Sequence, residues 1–436
     1  ISENKMNTSQ TYDYGLFVTG SEKDDFNNSI DASNSVNGKP VNYYFDVKNI
    51  VVENLDSGHL EIAGGNNVTV LRNKVSGDGI LLSFTENSQI KENDITAKES
   101  GIWLQYYSSN NIIEQNSVNV TGGFPLGIST VSYSENISIT KNNINIITNG
   151  DSNNFVLYPS ISILTSISNN NQITDNNIRI NYTSFSFGMY LQISSNILVE
   201  NNTIEQSKQA ISQLLKTESK TSKTENSLSP PFLYRMHSIM KPQVLLSKSS
   251  ITQSTETQSS IEDFWTNFWN IPKGIAFLAS TNATIIKNSI SGSNYGIYIF
   301  AFYPSLGKTI IQSNNIYNHS LYNLYNDQPE NVSAEYNYWG TTSKDGIATK
   351  IFDRSDDQTK GPVDFEPWLQ MPKELLPKGD INGDCKIDIF DLVIVGKAFG
   401  SKPGDSNWNQ VTDINEDEII DILDLTTVAT NFGKGC

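Results

Sequence analysis

Only two of the 436 residues are cysteine, Cys385 and Cys436, so a disulfide framework cannot hold most of the chain together. Three histidines occur, His59, His237 and His319, far apart and in no shared motif; each reads as a surface or packing residue, and no Met-His cluster points to copper. Positive charge is short as well. There are 30 lysines and arginines against 47 aspartates and glutamates, a net charge of −17, with no basic run, which excludes a nucleic-acid partner. Between residues 60 and 210 the only arginines are Arg72 and Arg179, a poor supply for a lyase that must neutralise a uronate. No stretch is apolar enough over enough residues to span a bilayer.

Asparagine, by contrast, is abundant. Ten N-x-Ser/Thr sequons occur, at Asn7, Asn27, Asn67, Asn119, Asn136, Asn181, Asn201, Asn282, Asn318 and Asn331. A chain rich in Asn, Ser and Thr makes sequons by chance, so each is a candidate N-glycosylation site and no more. The chain starts at Ile1, so the numbering is expected to begin after a removed signal peptide. With the acidic composition, these features place the protein outside the cell or on its surface.

The length allows two or three domains, and most of it repeats. Segments such as "ENSQIKENDI", "ENISITKNNI" and "TNATIIKNSI" each carry an Asn, an apolar position or two, and a second Asn six residues on. The pairs are Asn67/Asn73, Asn87/Asn93, Asn110/Asn116, Asn136/Asn142, Asn170/Asn176, Asn196/Asn202 and Asn282/Asn288; a further copy keeps Asn314 with Lys308 in first place. A glycine followed by alternating apolar residues trails each pair, as in "GIWL" at Gly101 and "GMYL" at Gly188. Period-two alternation of β-branched residues signals strands. Repeats of about 20 to 26 residues with two or three strands each predict a parallel β-helix. About ten coils stacked at about 4.8 Å would form a rod on the order of 50 Å long. Equivalent Ile and Val residues would stack into a core and equivalent Asn residues into amide ladders, since Asn tolerates left-handed corners. A β-sandwich would instead show hairpin turns and no ladder residue.

The repeat is interrupted once, over residues 212–273. There, Ile261, Phe264, Trp265, Phe268 and Trp269 fall at helical spacing behind a Ser259–Glu262 capping box. These predict a short helix packed on the rod wall, or an exposed aromatic patch for a partner. Residues 1–37 lack the ladder; their strand-like "YGLFVTG" would cap the rod or pair with a neighbour. The repeats, the "GKPVNYYFDVKNIVVENL" lead-in and the "NYWG" and "GPVDFEPWL" ending resemble the NosD-like right-handed β-helix family over roughly residues 38 to 369, which implies a right-handed parallel β-helix. That resemblance is specific for fold and weak for activity, because the family includes copper-associated periplasmic proteins, sugar-active enzymes and surface proteins.

After a linker at 370–378, residues 379–436 carry one template twice. Asp380, Asn382, Asp384, Lys386, Asp388 and Asp391 match positions 1, 3, 5, 7, 9 and 12 of a calcium loop; so do Asp413, Asn415, Asp417, Ile419, Asp421 and Asp424. Position 7 contributes its backbone carbonyl, so Lys386 and Ile419 need no ligating side chain. Eleven acidic residues in about sixty would otherwise repel, so two calcium ions are expected as cofactors. Each loop is followed by an apolar helix, and no helix pattern precedes the first, unlike an EF-hand. These loop–helix repeats resemble dockerin modules, in a version found in archaeal surface proteins. The resemblance implies a cohesin-like partner, or neighbouring subunits of the same protein. It also implies that the module's two ends lie close together, which predicts a Cys385–Cys436 disulfide worth roughly 4 kcal/mol. Cys385 and Glu418 both stand at position 6, where calcium loops usually have glycine.

Three functions fit: a secreted structural or adhesive rod with a docking module, able to assemble into a filament or layer; a carbohydrate-active enzyme, lyase or glycoside hydrolase, on the same rod; and a non-catalytic polysaccharide binder. The coil carboxylates Glu92, Glu99, Glu114, Asp175 and Glu200 form no legible acid pair. Trp103, Tyr106 and Tyr107 suit sugar stacking less well than packing. The structural reading is preferred.

Overall fold

Each repeat becomes three short strands and three corners, because its apolar residues have only one direction in which to be buried together. The computed structural model describes residues 1–7, 14–148, 160–182, 186–208, 271–300 and 308–436. The interrupting segment's helix pattern (Ile261 to Trp269) and His237 lie outside the described residues.

Among the described residues, three sheets run along the rod, of 13, 11 and 9 strands. Nearly all pairings are parallel, each strand joining its counterpart one coil away. In the second sheet, for example, Gln89–Lys91 pairs with Thr69–Leu71 on one side and Ile112–Glu114 on the other. Nine coils contribute a strand to all three sheets, and two partial coils follow. This is a parallel β-helix. Its register stacks like on like: Val70, Ile90, Ile113, Ile139, Ile173, Val199, Ile285 and Ile311 form one buried column. Burying each such side chain contributes about 1.5–3 kcal/mol.

The two asparagines of each repeat do different jobs. The second is buried. In the row Asn73, Asn93, Asn116, Asn142, Asn176, Asn202, Asn288, Asn314 and Asn337, each Nδ2 donates to the Oδ1 of the next at 2.9–3.0 Å. The same Oδ1 accepts that residue's backbone N–H, and the second amide hydrogen goes to a strand carbonyl, as from Asn116 to Ile90 O. The first asparagine is exposed and left-handed, with φ of +52° to +57° from Asn49 to Asn282. Its ladder is looser, with bonds Asn67→Asn49, Asn136→Asn110, Asn196→Asn170 and Asn282→Asn196. The sequence reading gave left-handed tolerance to the corner asparagines in general. At the buried row it is the preceding residue that turns left-handed, from Arg72 and Glu92 to Ser313 and Tyr336. Asn337, in the "NYWG" ending, is a ladder member that its spacing had not revealed.

The glycine row marks where the chain enters the first sheet. A Cβ on Gly101 would overlap the Val118 side chain and lie 2.5 Å from the Gly127 carbonyl of the next coil. Only glycine leaves room for the coils to stack there.

The strand-like "YGLFVTG" forms no strand. The first sheet's edge is already taken by Ser35–Val36, which pairs antiparallel with Lys39–Phe45 and parallel with Lys5–Met6. Residues 14–18 instead lie on the sheet's outer face: Gly15 and Leu16 N–H donate to Asp78, and Tyr14 and Phe17 pack on Trp103. Phe26 plugs a small cluster with Val18, Ile30, Val36 and Val41.

Candidate metal centre and docking surface

Two helices dominate the C-terminal module, α1 (Ile389–Ala398) and α2 (Ile422–Asn431). Each is capped by the ninth residue of a predicted calcium loop and starts at the tenth. Asp388 and Asp421 are N-caps whose side chains accept the N–H of Phe390 and Leu423. Asp391 and Asp424, at position 12, reach back to the cap N–H and complete capping boxes. Both are fully buried, and their other oxygen accepts the N–H of Ile381 or Ile414 at 2.7 Å.

The two loops share most of this hydrogen-bond pattern. Asp380 accepts the N–H of Gly383 and Cys385, and Asp413 those of Asp417 and Glu418. Asp384 and Asp417 accept the N–H of Lys386 and Ile419. Positions 4 and 6 are left-handed in both: Gly383 and Cys385 in the first loop, Glu416 and Glu418 in the second. The loss of glycine at position 6 therefore keeps the turn and accepts strain of order 1–3 kcal/mol. Negative charge is concentrated here. Burial, with the charges of Asp391 and Asp384, pushes the Asp380 carboxyl up to about 6; burial likewise raises Asp413, beside Asp424. A hard, oxygen-only donor set whose carboxyls resist ionisation fits a divalent cation that would neutralise them.

A disulfide joins Cys385 and Cys436, with Cα atoms 5.1 Å apart. Around it the chain end pairs with the first loop: Ile387 N–H donates to Lys434 O and Gly433 N–H to Ile387 O. The equivalent contact after α1, Gly400 N–H to Ile420 O, closes on the second loop without a covalent bond. The module thus has internal two-fold symmetry, and its exposed apolar residues follow it: Ile389 with Ile422, Phe390 with Leu423, Phe399 with Phe432, all 47–64% exposed.

The other sequence-level candidates scatter. His59 is fully buried, between Asp78 at 3.0 Å and Glu61 at 3.3 Å. Burial opposes its charge, but these two carboxylates outweigh burial and raise its pKa to about 9. His59 and Glu61 share one strand and Asp78 lies one coil on, so a coil length of about 20 residues was the signal that could have joined them. His319 is buried, bonded to Ser293 and the Ile290 carbonyl, and burial lowers it to about 4. Glu99 is buried; Glu200 pairs with Lys287, and Asp175 accepts from Asn201. Trp103 is buried packing, whereas Tyr107 is exposed and stacked on Tyr133. None of the ten sequon asparagines is buried; Asn119 and Asn181 are half-covered and the rest exposed. No helix among the described residues is long and apolar enough to cross a membrane.

Comparison with curated proteins finds no match. Among solved structures, the chain is similar to the DFA-IIIase of Arthrobacter chlorophenolicus A6 without its lid, at 10% identity and TM-score 0.33, covering 77% of this chain and 71% of that one. The same enzyme in complex with GF2 gives 10% identity and TM-score 0.35, covering 77% and 72%. Residues 378–432 match the dockerin type I domain. Such domains bind calcium and cohesin partners and occur in extracellular or cell-surface proteins. The chain therefore joins a parallel β-helix to a C-terminal dockerin type I module.

Proposed function

We propose that this is an extracellular structural or adhesive protein, a β-helix rod that a calcium-loaded module attaches to a partner. The observation that carries this reading is the symmetric pair of exposed apolar patches at the starts of α1 and α2, each set by a loop of calcium-ligand spacing. Two ions are held, one by Asp380, Asn382, Asp384, Asp388, Asp391 and the Lys386 carbonyl. The other is held by Asp413, Asn415, Asp417, Asp421, Asp424 and the Ile419 carbonyl. Calcium supplies the positive charge that lets these carboxylates sit together, which orders the loops and so aims the caps of both helices. The exposed pairs Ile389/Ile422 and Phe390/Leu423 then meet a cohesin-like domain or a neighbouring copy.

Sizing of the protein with calcium and after chelation tests this, alone and mixed with a cohesin domain. A calcium-dependent larger species supports docking. A monomer under every condition that releases reducing sugar from glycans would replace this reading with the carbohydrate-active one.

A further inference from the structure

Both calcium loops make contacts outside the module through position 4, the first where the rod's end meets the linker and the second on the rod wall. In the first loop, the Gly383 carbonyl accepts the N–H of Gln370 at 3.0 Å. A Cβ there would overlap the Leu369 side chain and lie 3.1 Å from Leu369 Cα. In the second loop, the left-handed Glu416 reaches Lys287 Nζ at 2.8 Å. Lys287 stands at the left-handed corner before the ladder residue Asn288 and also holds Glu200, at 3.2 Å. Gln410 adds a bond to the same Glu200, at 3.4 Å. Beside these contacts, a cleft of about 390 Å³ lies between Asn282 and Thr284 of the second sheet and Pro403 and Trp408.

We infer that the second sheet's outer face is a seat for the docking module, occupied only while the calcium loops are loaded. The occupant is this chain's own module. The seat grips residues lying between ligand positions 3 and 5, whose backbone is set by the loop's closed form. Without a cation, the second loop's carboxylates repel, the loop opens, and Glu416 leaves Lys287. Neither Gly383 nor Glu416 is a ligand position, so seating does not compete with the ion. The exposed faces of α1 and α2 remain free, so a seated module presents its docking surface at a fixed angle to the rod. By reciprocity, seating must tighten calcium binding as calcium promotes seating. This inference rests on the calcium reading of the loops.

Zero-length carbodiimide cross-linking of the full chain tests it, with peptides quantified by mass spectrometry. Lys287–Glu200 lies within the rod and serves as the internal standard for Lys287–Glu416. Chelation is expected to lower the ratio of the second to the first by about 5-fold or more. An unchanged ratio, with calcium uptake confirmed by calorimetry, overturns the seat and leaves the loops' reading intact. No uptake at all overturns both. Lys287→Gln should weaken one of the two calcium sites by about 5-fold and leave the other alone; two unaltered affinities also overturn the seat.

Discussion

In the rod, a column of Ile and Val runs through nine coils and a buried amide ladder runs beside it. In residues 379–436 the buried apolar cluster has six members, Ile381, Ile387, Val395, Ala398, Ile420 and Val428. The first is a core that grows with every repeat; the second is too small to fold a domain by itself. The module adds a disulfide and, on the function proposed above, a cation in each acidic loop. The comparison teaches that one chain can hold two folding regimes, one sensitive to its side-chain stacking and the other to its solution conditions.

Removing calcium should separate them most sharply. In calorimetry with a chelator, the module's transition disappears and the rod's melting temperature moves by no more than about 2 °C; a rod that melts with the module would end the distinction. Next in size is the disulfide, which closes a 51-residue separation. Cys385→Ala with Cys436→Ala should cost the module about 4 kcal/mol in denaturant titrations and the rod nothing measurable.

Within the rod the two asparagine rows give a smaller contrast. Asn142→Ala removes the oxygen that accepts both the N–H and the Nδ2 of Asn116, leaving buried donors unpaired. The expected loss is about 3 kcal/mol, against less than about 1 kcal/mol for exposed Asn136→Ala. Equal losses would mean that the buried ladder is ornamental. The smallest effect concerns pH. His59 has a folded pKa raised to about 9, above its unfolded value, so its contribution is complete below about pH 6.5 and is lost as pH rises through 9. The rod's melting temperature should fall by a few degrees from pH 7 to 10 and that slope should flatten in His59→Gln. The module, which contains no histidine, supplies no such term.

Much of this organisation could be read from residue spacing. A β-helix repeats its environment every coil, so the Asn pairs and the Gly-led strands announce the corners and sheets before any contact is known. The calcium template is equally local, because a loop's ligands must come from a dozen consecutive residues. Harder to see was which asparagine would be buried, since both lie at corners and only the packing of sheets around the core decides which amide faces inward. The N-terminal segment misled for a related reason. "YGLFVTG" has the alternation of a strand, but alternation reports burial on one face and cannot supply a free sheet edge.

The chain alone therefore determined the coil period, the ladder and the duplicated loops, all features in which short-range spacing dictates chemistry; the cysteine pairing followed from the resemblance to dockerin modules. Tertiary structure decided the remainder. It brought His59 beside Asp78, laid residues 14–18 over the first sheet, and placed Lys287 against Glu416, 129 residues further along the chain. Those contacts depend on which coil lies beside which surface, and that is set by the stacking of the whole rod.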